Sequence, residues 1–143
     1  MPTRKASAKW EGGLKGGKGT FTGESGAIGG QYSFSSRFEN GVGSNPEELL
    51  AAAEAACFSM ALSGSLEKNG TPPTSIETSA ACTVQPVEGG FGITSIALDV
   101  NAAVPGIDDA KFQEIAAATL TGCPVSKALH GNVKITVNAK LAG

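Results

Sequence analysis

One histidine, one tryptophan, one tyrosine and three cysteines occur among 143 residues, and this scarcity removes several chemistries at once. A structural zinc usually takes four Cys or His ligands, so three cysteines and one histidine argue against a metal site on count. Basic residues are also few. With 11 Lys and Arg against 13 Asp and Glu, and a net charge of -2, the chain lacks the clustered cations from which phosphate binding draws its affinity, so no nucleic-acid partner is expected. No Gly-Gly pair is followed by the Lys-Ser/Thr of a phosphate loop. The basic start, residues 1–10, has no apolar core behind it, so a secretory signal is not expected and a cytoplasmic protein is. In that reducing compartment, a disulfide between two of so few cysteines is more consistent with catalysis than with scaffolding. Neither a repeat nor a Pro/Ser-rich linker divides the chain, which predicts a single domain over residues 1–143.

Charge is missing from one long stretch as well: residues 49–66 carry only Glu54. Asn45, Pro46 and Glu48 form a helix-start signature ahead of it, with Asn45 as cap, Pro46 at the first position and Glu48 closing a capping box. The spacing predicts a helix running to about residue 70, apolar or small on nearly every face, and therefore central and buried. A membrane span is the rival reading, but Ala, Ser and Gly dominate and Leu is sparse. Small side chains of this kind let another helix or a sheet approach closely.

Eleven of the 20 glycines lie before position 45 and read as hairpin turns between short strands at residues 5–11, 19–22 and 32–37, an N-terminal β-meander. Beyond the helix, Ile76, Thr78, Ala80, Cys82 and Val84 alternate with polar residues, and Ile96, Leu98 and Val100 mark a return strand. Asp108 caps a second helix whose apolar face holds Phe112, Ile115, Ala116 and Leu120, and an alternating strand from Val133 to Leu141 closes the chain. Strands in blocks with few helices between them make this an α+β protein.

Two cysteines stand in contrasting contexts. Cys57 lies within the long helix and is expected to be buried, whereas Cys123 follows Gly122 and precedes Pro124, at a helix junction where a thiol can feel a helix N-terminus and ionise more easily. Cys82 shares the apolar face of its strand and reads as a small hydrophobe. Arg37 is the only Lys or Arg between residues 19 and 67. It needs an anion nearby, either a thiolate or a carboxylate, and a surface pair with Glu39 or Glu24 is as compatible with the sequence. His130, at a predicted helix end, suits the helix dipole better than it suits a base, which argues against a Cys-His hydrolase.

Taken together, Arg37-Phe38-Glu39, Gly43-Ser44-Asn45-Pro46-Glu47-Glu48-Leu49, Ala55-Ala56-Cys57-Phe58-Ser59-Met60 and Gly122-Cys123-Pro124-Val125-Ser126 resemble the OsmC/Ohr family of thiol peroxidases. The likeness covers nearly the whole chain, and the placement of the arginine favours the OsmC branch. It implies an intertwined homodimer that reduces organic hydroperoxides, and hydrogen peroxide less well, without a cofactor, using a dithiol or lipoyl-type reductant. On the same resemblance Cys57 would be the peroxidatic cysteine, Cys123 the resolving one, Arg37 the stabiliser of thiolate and peroxide, and Glu47 the group that orients Arg37. Glu54 and Cys82 match nothing in that motif. The apolar neighbours Phe58 and Met60 suggest a pocket for alkyl peroxides. Glu47 and Cys57 are ten residues apart, about 15 Å along a continuous helix, so either the helix start is irregular or Glu47 serves the other subunit's site. A redox-sensing or peptide-binding stress protein, and a structural dimer with inert thiols, remain the alternatives.

Overall fold

The computed structural model describes residues 1–142 and orders them β1 (Ala6–Glu11), β2 (Lys18–Gly23), β3 (Gly29–Tyr32), α1 (Phe34–Phe38), α2 (Pro46–Lys68), β4 (Ser75–Val87), β5 (Gly90–Ala103), α3 (Asp109–Gly122), α4 (Pro124–Leu129) and β6 (Lys134–Leu141). This is the expected α+β arrangement. The chain groups into two compact units, one ending at Leu49 and one beginning at Leu50.

In the first unit, β1, β2 and β3 form an antiparallel meander. Gly19 is required where β2 passes under the rings: a Cβ there would lie 2.5 Å from the Tyr32 ring and 2.8 Å from that of Trp10. The third strand is shorter than its sequence suggests. It ends at Tyr32, and Ser33 and Ser36 close a reciprocal capping box (Ser36 N–H to Ser33 Oγ 3.1 Å, Ser33 N–H to Ser36 Oγ 2.9 Å) that starts α1, so Arg37 stands on a helical turn and not in a strand. None of the buried apolar side chains belongs to residues 1–49, and Leu14, Ile28 and Val42 are exposed.

The second unit holds the apolar core. β4 and β5 make a long antiparallel hairpin around Glu88 and Gly89, where Gly89 takes the positive φ of +86° that the tight turn demands. β6 adds alongside β5 in parallel, its chain having crossed over through α3 and α4. Ile96, Leu98, Val100 and Ala102 of β5 point inward, against Phe58, Leu62 and Leu66 of α2 and Phe112 and Ala116 of α3. Asp108 caps α3 by accepting from Lys111 N–H at 2.8 Å, as its position predicts.

Helix α2 has the expected length, but in this chain it is buried along one stripe only. Glu54, Phe58, Leu62 and Leu66 are shielded, while Ala52, Ala53 and Ala56 are exposed and Met60 is 81% exposed. Asn45 caps it through Glu48 N–H (2.8 Å), but the Glu48 carboxylate accepts from Ser44 Oγ instead of closing the box. By length and composition α2 could cross a membrane. The apolar stripe that closes the core of the second unit is the behaviour of a core helix.

Candidate active site

In the first unit the backbone ties α1 to the start of α2. Ser36 Oγ donates to the Ser44 carbonyl (2.7 Å), and Asn45 Nδ2 donates to the Ser36 carbonyl (3.0 Å). Arg37, in the last turn of α1, is thereby aimed at Glu47 in the first turn of α2. Its Nη2 donates to Glu47 Oε1 at 2.8 Å, and its Nε donates to both carboxylate oxygens at 3.0 and 3.2 Å, a forked charge-assisted pair. Of the carboxylates considered from sequence, Glu47 is the partner, not Glu24 or Glu39. The guanidinium carbon also lies 5.1 Å from the centre of the Phe38 ring. Glu47 is buried and the Arg37 side chain is 36% exposed, so the pair presents one held cation at a surface.

That cation borders an apolar cleft of about 230 Å³ lined by Trp10, Leu14, Tyr32, Phe34 and Phe38. Phe34 and Phe38, one helical turn apart, meet in a tilted ring contact with centroids 5.0 Å apart. The sequence signal for this cleft is their i, i+4 spacing, which reads as a strand only if Ser33 is not recognised as a cap. Phe58 and Met60 do not form the apolar pocket expected of them: Phe58 is fully buried in the core and Met60 stands out on the exposed side of α2.

The thiols meet in the second unit. α3 ends at Gly122, Cys123 caps the short α4 with Pro124 at its first turn, and this junction brings Cys123 Sγ to 2.6 Å from Cys57 Sγ on α2. A disulfide bond is only about 0.5 Å shorter than this separation, so little movement joins the two sulfurs. Their burial is the reverse of the sequence expectation. Cys123, at the α3–α4 junction, is fully shielded, and Cys57 is the partly exposed partner. Cys82, on β4, packs against the core.

Burial pushes the Cys57 thiol above its ordinary pKa, and the neighbouring Cys123 thiol and the Glu54 charge push the same way. The amide of Val125, in the first turn of α4, opposes them. The helix N-terminus that the sequence assigns to Cys123 thus also acts on Cys57. Glu54 is buried beside the pair, accepting from Ser126 Oγ and, at 4.0 Å, from Cys123 Sγ. Nothing in the sequence motif points to it. Only its position as the lone charge of an otherwise apolar helix could have done so. Among the described residues no group of three or more His, Cys, Asp or Glu is placed to hold a metal ion.

This assembly has relatives. The family model described as OsmC-like protein matches residues 39–138. Peroxiredoxin OsmC of Escherichia coli (strain K12) is 49% identical over 138 residues, which are 96% of each chain. Organic hydroperoxide resistance protein OhrB of Bacillus subtilis (strain 168) is 38% identical over 103 residues, 71% of this chain and 74% of that one. The crystal structure of OhrB of Bacillus subtilis matches with a TM-score of 0.75 at 30% identity, covering 95% of this chain and 98% of the other.

Proposed function

This chain belongs to the OsmC-like protein family, and from that membership we propose that it is a cysteine-based peroxidase that reduces organic hydroperoxides, and hydrogen peroxide less efficiently. The observation that carries the reading is the 2.6 Å approach of a partly exposed thiol to a fully buried one. Cys57, as thiolate, attacks one peroxide oxygen. The O–O bond breaks, the departing alkoxide takes a proton from water to leave as the alcohol, and Cys57 becomes a sulfenic acid. Cys123 then condenses with it to a disulfide and water, before overoxidation can proceed. An external dithiol, of the lipoyl type on the family resemblance, reopens the bond in the cytoplasm.

Within its own unit the Cys57 thiol is pushed toward the neutral form. A cation has to offset this, and Arg37, held by Glu47, is the one we assign. Its fork also donates to the leaving oxygen as charge builds there. α2 runs from Pro46 to Lys68, and ten residues of regular helix span about 15 Å, which supports the reading that Glu47 and its arginine serve the Cys57 of a second copy. The bare face of α2 at Ala52, Ala53, Ala56 and Met60, and a first unit without buried apolar side chains, support an intertwined homodimer. Met60→Glu places a charge on that face; sedimentation should show dissociation, with peroxide turnover lost in parallel, and a dimer that survives intact would move the interface elsewhere.

The cleft beside Arg37 supports the substrate preference. An alkyl chain lying on Trp10, Leu14 and the two phenylalanines leaves its peroxide group at the guanidinium. Leu14 is 68% exposed, so Leu14→Ser should leave folding intact. It should lower kcat/KM for cumene hydroperoxide by about tenfold, the scale of a lost apolar contact, with little change for hydrogen peroxide. Equal losses on the two substrates would remove the cleft from specificity. The reading itself is tested by initial rates with cumene, tert-butyl and hydrogen peroxides under a dithiol reductant. Organic peroxides should be consumed faster, and a preference for hydrogen peroxide would overturn the substrate class.

A further inference from the structure

The reaction as described leaves one buried charge without a task. Glu54 is completely shielded from solvent on α2, one turn before Cys57. Its Oε1 accepts from Ser126 Oγ on α4 and from Cys123 Sγ at 4.0 Å, while Oε2 is buried with no hydrogen-bond partner. A buried carboxylate with an unpartnered oxygen weighs against folding far more than one serine hydroxyl returns. Its charge also opposes formation of the Cys57 thiolate. It therefore hinders the first half of the cycle, and what it can assist is a step in which a neighbouring thiol gives up a proton.

We propose that Glu54 is the proton carrier of the resolving step: its carboxylate takes the proton from Cys123 as that sulfur attacks Cys57 sulfenic acid, and returns it to the departing hydroxide. The inference rests on the peroxidase reading, with Cys57 oxidised first and Cys123 resolving. The S–H bond of Cys123 and the S–O bond of Cys57 break, and the S–S bond and an O–H bond of water form. The electron pair of the S–O bond leaves with the hydroxide, the Cys57 sulfur is reduced as the Cys123 sulfur is oxidised, and the carboxylate ends as it began. Contact between Glu54 Oε1 and Cys123 Sγ makes Glu54 a catalytic residue in this step, with Oε1, the oxygen in contact, receiving the proton. Ser126 is a positioning residue that turns the carboxylate toward the thiol.

The titratable groups beside Glu54 include Cys57 on its own helix and Cys123 at the α3–α4 junction, and β4, which meets α2 through Ser59 and Thr78, carries Cys82 against the same core. α4 leaves Lys127 and His130 exposed, and the inward side chains of β5 are apolar. The test is a single-turnover reaction of the reduced full chain with cumene hydroperoxide, in which dimedone adducts report the sulfenic acid and intact mass reports the disulfide. In Glu54→Gln the sulfenic acid should form at least as fast as in the wild type, because a charge opposing the thiolate is gone. The disulfide should form about a hundredfold more slowly at neutral pH, the scale of a lost general base. Its rate should climb about tenfold per pH unit as hydroxide takes over the deprotonation, whereas the wild-type rate should vary little over the same range. Ser126→Ala, which keeps the carboxylate but frees it, should slow the same step by less and keep the wild-type pH profile.

A Glu54→Gln protein that closes its disulfide at the wild-type rate, or slows equally at every pH, overturns the proposal and leaves the peroxidase reading standing. If Glu54→Gln does not fold, Ser126→Ala decides by the same readout, and an unchanged disulfide rate overturns the proposal. A wild type that forms no sulfenic acid overturns both.

Discussion

Cys57→Ser is expected to abolish peroxide consumption, leaving only the background of the reductant, while Cys123→Ser is expected to complete one turnover and stop. The difference follows from burial and order of attack. A serine hydroxyl in place of Cys57 is not a nucleophile toward peroxide at neutral pH, and the fully buried Cys123 is not accessible enough to replace it. With Cys123 gone, Cys57 still reacts, but its sulfenic acid has no thiol within 2.6 Å to condense with and goes on to sulfinic acid under excess peroxide. Intact mass after one equivalent and after excess separates these states. A Cys57→Ser protein with wild-type turnover would make Cys123 or Cys82 the nucleophile.

Arg37 carries the second large effect. Within its own chain, burial, Cys123 and Glu54 all raise the Cys57 pKa against the Val125 amide, and on the proposed reading the offsetting cation is Arg37 of a second copy. A raised thiol pKa means that the reactive thiolate is scarce at neutral pH and is gained as pH rises through the folded-state pKa. Arg37→Ala should therefore move the pH profile of Cys57 alkylation further up. It should also lower kcat/KM for organic peroxides by about 10²- to 10³-fold, the scale of losing one donor to a developing oxyanion. Arg37→Lys keeps the charge and loses the fork that Glu47 holds, so it should fall between the two. Glu47→Gln should resemble Arg37→Lys more than Arg37→Ala, because the cation remains but loses its orientation. An alkylation profile unchanged in Arg37→Ala would mean that another cation, or none, governs the thiol.

Much of this was legible in the residues. Asn45-Pro46 marks the start of α2, Asp108 that of α3 and Gly122-Cys123-Pro124 the junction to α4, because each is a local cap whose chemistry does not depend on distant parts of the chain. Alternation at Ile76–Val84 and at Ile96–Val100 locates the hairpin for the same reason. What periodicity could not supply was which thiol is shielded. That depends on α3 and α4 folding back over α2, a long-range event that leaves no trace in the neighbours of Cys57 or Cys123. Arg37 was misplaced for a local reason: the aromatic run from Tyr32 to Phe38 has strand-like composition, and the Ser33–Ser36 capping box overrides it. Glu54 escaped because a single acid in an alanine-rich helix carries no pattern, and its meaning lies in Ser126 and Cys123, some seventy positions away.

The central claim is that Cys57 and Cys123 form a peroxide-driven redox pair, and intact mass of the wild type after one equivalent of cumene hydroperoxide tests it most directly. Loss of two hydrogens, with peptide mapping joining Cys57 to Cys123 and restoration of both thiols by a dithiol, is the predicted result. An unchanged mass with the peroxide unconsumed would contradict it and leave two inert thiols in contact.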